Sequence, residues 1–425
     1  MSDRASGAAR PSRRRFLRWA GAGAALSIAG LVGMRFAVPR WLRPAKPGPL
    51  GARARDLVAA ALDGLDASRV WDGHGHLVGA DEGGNGCRVS PAMRSHASPV
   101  LRFQLDAYLA ACGITGPQTA DREYLDRLLA LGNVAYPAGR MVVLPFDAVV
   151  REDGTEDLDA SHFVVPDAYA ATVARRYPDR FVAACSVHPY RHDAVERLRA
   201  AASAGAVAVK WLPNSHAIDP GSPRCDRFYE ALAELGLPLL AHVGGELAMA
   251  APFPEFGNPL RLRRALDHGC RVILGHAASS GTNLDLDAPE RTRAEVPAFD
   301  LAVRLLHERR YDGRVLADIS ALTAVNRCGR PLRHLLSATA LHGKLLNASD
   351  YPICAIGPLV STWLLTQRGY LDDDERAALD EIRTSNPLLG DLVLKRRLAV
   401  RDGSRVLRFA DEVFETERWY RRLSR

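Results

Sequence analysis

Trp71-Asp72-Gly73-His74-Gly75-His76 sets how the rest of the chain is read. It closes an apolar, strand-like run, and the two-residue period of a strand puts His74 and His76 on the same side, where two imidazoles can share a cation. The same placement recurs downstream. Leu239-Leu240-Ala241-His242, Ile273-Leu274-Gly275-His276 and Leu346-Asn347-Ala348-Ser349-Asp350 each carry a short apolar run into an ionisable residue. Runs of this kind at 69–77, 140–149, 181–188, 206–212, 237–243, 272–276, 315–320 and 344–349 predict eight strands. Amphipathic stretches at 100–111, 166–177, 194–204, 227–235, 259–268, 298–308 and 333–341 predict helices between them. The alternation alone fits an open doubly wound sheet as well as a (β/α)8 barrel. The ionisable residues decide between them. In a barrel the carboxyl ends of the strands converge on one rim, so these residues would meet there. Each histidine taken singly also fits a hydrogen-bonded structural role, and Asp350 before Tyr351-Pro352 fits a turn. Five such residues at one rim predict an α/β TIM-like barrel with a metal centre.

Bulk properties narrow the function. The net charge is +7, but residues 1–47 hold ten Arg/Lys against Asp3, so they carry +9 and the remainder carries −2. A slightly acidic body has no electrostatic reason to seek phosphates, so no nucleic-acid partner is expected. Seven scattered cysteines without a C-x-x-C pair indicate neither a zinc knuckle nor a disulfide scaffold. They read as small buried hydrophobes. The glycine pairs lack phosphate-loop spacing, and no G-x-S-x-G elbow occurs.

Ser12-Arg13-Arg14-Arg15-Phe16-Leu17-Arg18 precedes an Ala/Gly/Leu-rich stretch at 19–34. This basic-then-apolar order resembles a twin-arginine export signal, a route for chains that are already folded. No clear A-x-A site follows, so an uncleaved membrane tether is the alternative. The expected organisation is a signal or anchor with linker at 1–47, then the barrel at 48–425 with a C-terminal helical extension from 371–397. The Gly- and Ser-rich stretch 79–98 reads as a long loop over the first strand.

The motifs Asp72-x-His74-x-His76, Ala241-His242, Gly275-His276 and Ser349-Asp350-Tyr351-Pro352 resemble the amidohydrolase superfamily, in the amidohydrolase-related branch that also contains non-hydrolytic decarboxylases. The resemblance covers most of the chain after the leader. It implies that His74 and His76 bind a first metal, completed by Asp350, which also takes the proton of the attacking water. His242 and His276 would hold a second metal in a binuclear site. In a mononuclear one His242 would join the first metal, and His276 would contact substrate or water. Lys210, in Val207-Ala208-Val209-Lys210-Trp211, sits where binuclear relatives carry a carboxylated bridging lysine; a lysine paired with a carboxylate or a substrate anion is the alternative.

Nitrogen and oxygen donors without thiolate suit a divalent metal, zinc first, as one ion or two. Such an ion lowers the pKa of bound water toward ~7 and polarises a carbonyl. The leading expectation is therefore hydrolysis of an amide, lactone or ester C–N or C–O bond in a small molecule. Metal-assisted decarboxylation of an unsaturated or aromatic acid, and a non-catalytic metal-binding accessory protein, are the alternatives. His188, Arg191, Asn214 and Glu246 are candidates for substrate contact, the arginine because its forked donors suit a carboxylate. Asp147, His216, Ser279, Arg94, His96 and Arg327 are further rim candidates. A homo-oligomer and a periplasmic or membrane-tethered location complete the expectations.

Overall fold

Alternation along the strands sorts side chains into two layers, and this sorting builds the molecule. In a computed structural model, which describes residues 48–80, 84–114, 119–151 and 153–420, eight parallel strands succeed one another around a barrel. They are β1 (Asp72–His76), β2 (Met141–Leu144), β3 (Phe181–Ala183), β4 (Val209–Trp211), β5 (Pro238–His242), β6 (Arg271–Gly275), β7 (Val315–Asp318) and β8 (Leu345–Leu346). Two sheets, β1-β2-β3 and β4-β5-β6-β7-β8, hold most of the ladder. Parallel bridges Cys185 to Val209 and Gly75 to Tyr351 join them on both sides, closing the ring. Every predicted strand overlaps an observed one.

The inner layer holds Val142, Leu144, Ala184, Ala208, Leu240, Ile273, Leu316, Leu346 and Ala348. The intervening residues, such as Val143, Val209, Leu239, Ala241, Val272, Leu274 and Ala317, join the larger cluster under the outer helices. A barrel interior filled this way is a packed plug rather than a pore. Its lower end is closed by Trp71 and by Tyr420, whose hydroxyl donates to the Gly73 carbonyl at 2.8 Å. Nearby the Thr416 hydroxyl donates to Trp71 O at 2.7 Å.

The helices Pro99–Ala111, Asp167–Arg176, Ala194–Ser203, Asp226–Leu235 and Ala298–His307 lie where the periodicity puts them. Other segments differ from expectation. The stretch 259–268 begins as a 3-10 turn before the helix Arg263–Asp267, and the helix expected at 333–341 starts at Arg330 and gives way to a 3-10 segment Thr339–Lys344. The helices Ala52–Leu62 and Ala120–Ala135 had no counterpart in the reading. The stretch 79–98 is not loop throughout: Arg88–Val89 pairs with Phe163–Val164, and Ser90 caps a turn of helix Pro91–Arg94. The C-terminal extension is two helices, Asp373–Ser385 and Pro387–Arg397. Asn386 accepts from Leu389 N, and Pro387 takes the first helical position, where a missing N–H costs nothing. The expected signal or anchor and linker at 1–47 lie outside the described residues. Among those described, no helix is long and apolar enough to cross a membrane, and all seven cysteines are free, six of them buried.

Candidate metal centre

Two residues beyond the apolar plug, the inner layer turns polar. Ala208 is followed on the same face by Lys210, Leu240 by His242, Leu316 by Asp318 and Ala348 by Asp350. All four polar residues are buried, so the barrel's own period lifts them to one rim.

β1 supplies the centre of the cluster. His74 Nε2 lies 3.2 Å from His76 Nε2, and Asp350 Oδ1 lies 3.5 Å from the first and 3.1 Å from the second. Three ligands on a tetrahedral ion at the usual zinc distances stand ~3.3 Å apart, so this triangle has the dimensions of one face of such a shell. His74, His276 and Asp350 also bring one donor atom each within 4.8 Å of one another. The His276 ring stacks 5.1 Å from that of His74, and His242 meets it edge-on at 5.0 Å.

Local backbone explains how these side chains arrive. At Gly75 a Cβ would run into the Met141 side chain, which would have to move aside. Asp350 adopts φ 57° while its N–H donates to His74 O at 2.8 Å, and His276 through Ala278 all have positive φ. Such left-handed residues are costly in non-glycine positions and cluster at functional sites.

Surrounding groups fix each imidazole. His74 Nδ1 is 3.0 Å from Asp318 Oδ2, which orients the ring so that Nε2 points into the triangle. The other Asp318 oxygen accepts from His276 N at 2.9 Å and from Ser320, whose hydroxyl is 2.7 Å from His276 Nδ1. Glu246 Oε2 sits 3.3 Å from His242 Nδ1, leaving the buried His242 Nε2 without a partner. A buried orphan nitrogen beside the His276 imidazole fits a metal-ligand role.

Electrostatics favour the ligating forms. Burial pulls His76 down to about 4, outweighing Asp350, and pulls His242 and His276 below the ordinary histidine value, the direction that favours metal binding. Burial alone would raise Asp350, but His276, His76 and His74 outweigh it and hold the carboxyl well below its usual range. Lys210 Nζ approaches His74 Nε2 at 3.1 Å; burial lowers its pKa to about 8 despite the nearby carboxylates of Asp350, Asp318 and Glu246.

The remaining candidates fall elsewhere. Arg191 forms a two-pronged contact with Asp147 at 2.8 and 2.5 Å and a third bond to Glu156 at 2.9 Å. Its donors are engaged inside the protein, and it does not line the cavity at the metal triangle. His188 donates from Nε2 to His216 O at 2.8 Å, also away from that cavity. Asn214 donates to Gly244 O at 3.2 Å and ties the loop after β5 in place. Glu246 does line the cavity, though its oxygens serve His242 and the N–H groups of Ala248 and Met249. Asp318 and Ser320 were missing from the reading. Asp318 carries the same signal as His242, a polar residue two positions after an inward apolar one.

The cavity above the triangle holds about 350 Å3 and is walled largely by apolar side chains, among them Phe103, Tyr108, Phe146 and Met249.

A family model described as amidohydrolase matches residues 71–381. No curated protein matches. Among solved structures, an uncharacterized TIM-barrel protein from Bordetella bronchiseptica is 16% identical, with 76% of this chain and 99% of that chain covered and a TM-score of 0.45. A putative 2-pyrone-4,6-dicarboxylic acid hydrolase from Pseudomonas putida is 16% identical over 76% and 97% of the two chains, with a TM-score of 0.39. A 5-carboxyvanillate decarboxylase from Sphingomonas paucimobilis is 11% identical over 75% and 98%, with a TM-score of 0.43.

Proposed function

Because the chain belongs to the amidohydrolase family, and so to the metal-dependent hydrolases and decarboxylases, we propose that it hydrolyses a C–N or C–O bond of an amide, lactone or ester in a small carbonyl compound. The observation that carries this reading is the triangle of His74 Nε2, His76 Nε2 and Asp350 Oδ1, with edges of 3.1 to 3.5 Å. These three residues would hold a divalent ion, zinc by the chemistry of its donors. In a binuclear site His242 and His276 would be the donors for a second ion, with a carboxylated Lys210 between the two. When bound, the ion supplies an acidified water and a polarised carbonyl.

The chain's own residues do the rest. Asp350, kept ionised by three imidazoles, accepts a proton from water and delivers it to the leaving group. In a mononuclear site His276, its Nδ1 held by Ser320 and 3.9 Å from Asp350 Oδ2, would face the substrate oxygen with its remaining nitrogen. Asp318 keeps His74 in one tautomer. The apolar cavity walls exclude bulk water, which strengthens each of these interactions. The arginine-rich leader supports export of the folded enzyme to the periplasm, or its tethering to the membrane.

Elemental analysis of the full-length protein tests the reading. Wild type should carry a transition metal at a ratio near one or two, and His74→Ala/His76→Ala should lose it. Turnover of a panel of amides, lactones and aromatic acids in 18O-water should put the label into an acid product. Release of carbon dioxide without label would replace hydrolysis by decarboxylation, and metal-free wild type that cannot be reconstituted would sink both.

A further inference from the structure

Arg327 lies on the loop after β7 and lines the same cavity as His76, His242, His276 and Asp350. Only 7% of it is exposed. Its guanidinium donates to Ser279 Oγ at 3.1 Å and reaches Gly245 O at 3.5 Å. Both partners are neutral, and among the described residues no carboxylate oxygen comes within ion-pair distance of it. Arg191, Arg263 and Arg304, by contrast, each hold two carboxylates at close range. A guanidinium stays charged in a protein, and burying one without a counter-ion is costly. Asp350, Glu246 and Asp318 act on it only at a distance, so the fork is left open to an anion that enters the cavity.

We propose that the substrate carries a carboxylate remote from the bond that reacts, and that Arg327 binds it, with the apolar body of the substrate lying between Phe103, Tyr108, Phe146 and Met249. The guanidinium fork matches a carboxylate edge-on, Ser279 and Gly245 hold it in register, and the cavity is small enough to admit a single ring or a short chain. The proposal rests on the reading of the site given above and adds the class of compound: a monocarboxylate with a flat or apolar body.

Calorimetric titration of the full-length, metal-loaded protein with benzoate and benzamide, probes of one shape that differ in charge, tests it. Wild type should bind benzoate roughly tenfold to a hundredfold more tightly than benzamide, the range expected of a charge-assisted bond. Arg327→Gln should abolish the preference with metal content unchanged, and Arg327→Lys should keep part of it. If the glutamine variant fails to fold, Arg327→Met supplies the neutral comparison. Equal binding of the two probes by wild type, no binding of benzoate, or a preference that survives in Arg327→Gln would each overturn the proposal, the last because the metal would then be reading the carboxylate. Wild type that holds no metal yet loses its preference on Arg327→Gln would remove the metallohydrolase and keep the receptor. Metal-loaded protein indifferent to charge would do the reverse.

Discussion

The two sides of the barrel rim are made of the same residue types and finished in opposite ways. On the β2–β3 side, Arg191 is held by Asp147 and Glu156, while His188 donates to His216 O and accepts at Nδ1 from Tyr190 N, 3.2 Å away. Every strong polar group of that cluster named here has a partner inside the protein. On the side formed by β1, β5, β6 and β8, His76 Nδ1 and His242 Nε2 are buried without one, and Arg327 is buried without a carboxylate. Buried polar groups are normally satisfied. A cluster closed on itself therefore serves the fold, and one left open serves something that arrives from solution.

Three substitutions would break or sharpen that contrast. The largest effect belongs to the closed side: Arg191→Met strands Asp147 and should cost about 3 kcal/mol in chemical denaturation with metal content intact. Loss of metal in that variant would make the two sides one site. On the open side, Asp318→Asn keeps the shape beside His74 but removes the charge, and metal affinity measured by competition with a chelator should fall roughly tenfold to a hundredfold. Unchanged affinity would reduce the Asp318 contact to packing.

The smallest effect is a pH dependence. Burial raises the Asp167 carboxyl to about 6, outweighing the bond it accepts from Ser186 N at 2.7 Å. A raised carboxyl favours the protonated folded state, so its contribution is most favourable below the unfolded value near 3.8 and declines as pH climbs through about 6. Asp167→Asn should remove this decline, becoming more stable than wild type above pH 6 with little gain at pH 4. A difference of the opposite sign would mean that the Ser186 bond outweighs burial.

What the sequence disclosed follows the range over which each signal acts. Strands were legible because an apolar run reports burial locally, and His74, His76, His242, His276 and Asp350 because each lies within a few residues of such a run. Arg191 and Arg327 look alike in sequence, as arginines in loops after strands. What separates them is the presence of Asp147, 44 residues from Arg191, and of Glu156, 35 residues away, which only folding brings close. Asp318 was overlooked for a different reason: an acid ending a strand has many ordinary uses, and only its contact with His74, 244 residues distant, gives it one here. The helix Ala120–Ala135 escaped because the expected helix at 100–111 already filled the interval between the first two strands.

The seal at the bottom of the barrel bears on the order of assembly. Tyr420 and Thr416 bond to Gly73 and Trp71, and Asn347 N donates to Val413 O at 2.7 Å. The segment that caps the first and last strands is made by the ribosome after all eight of them. Until it emerges, Trp71 and Leu346 at the base of the ring lack their cover, so the ring cannot reach its final packing during synthesis of the strands themselves. Completion of the barrel therefore waits on residues 413–420, which seal its base.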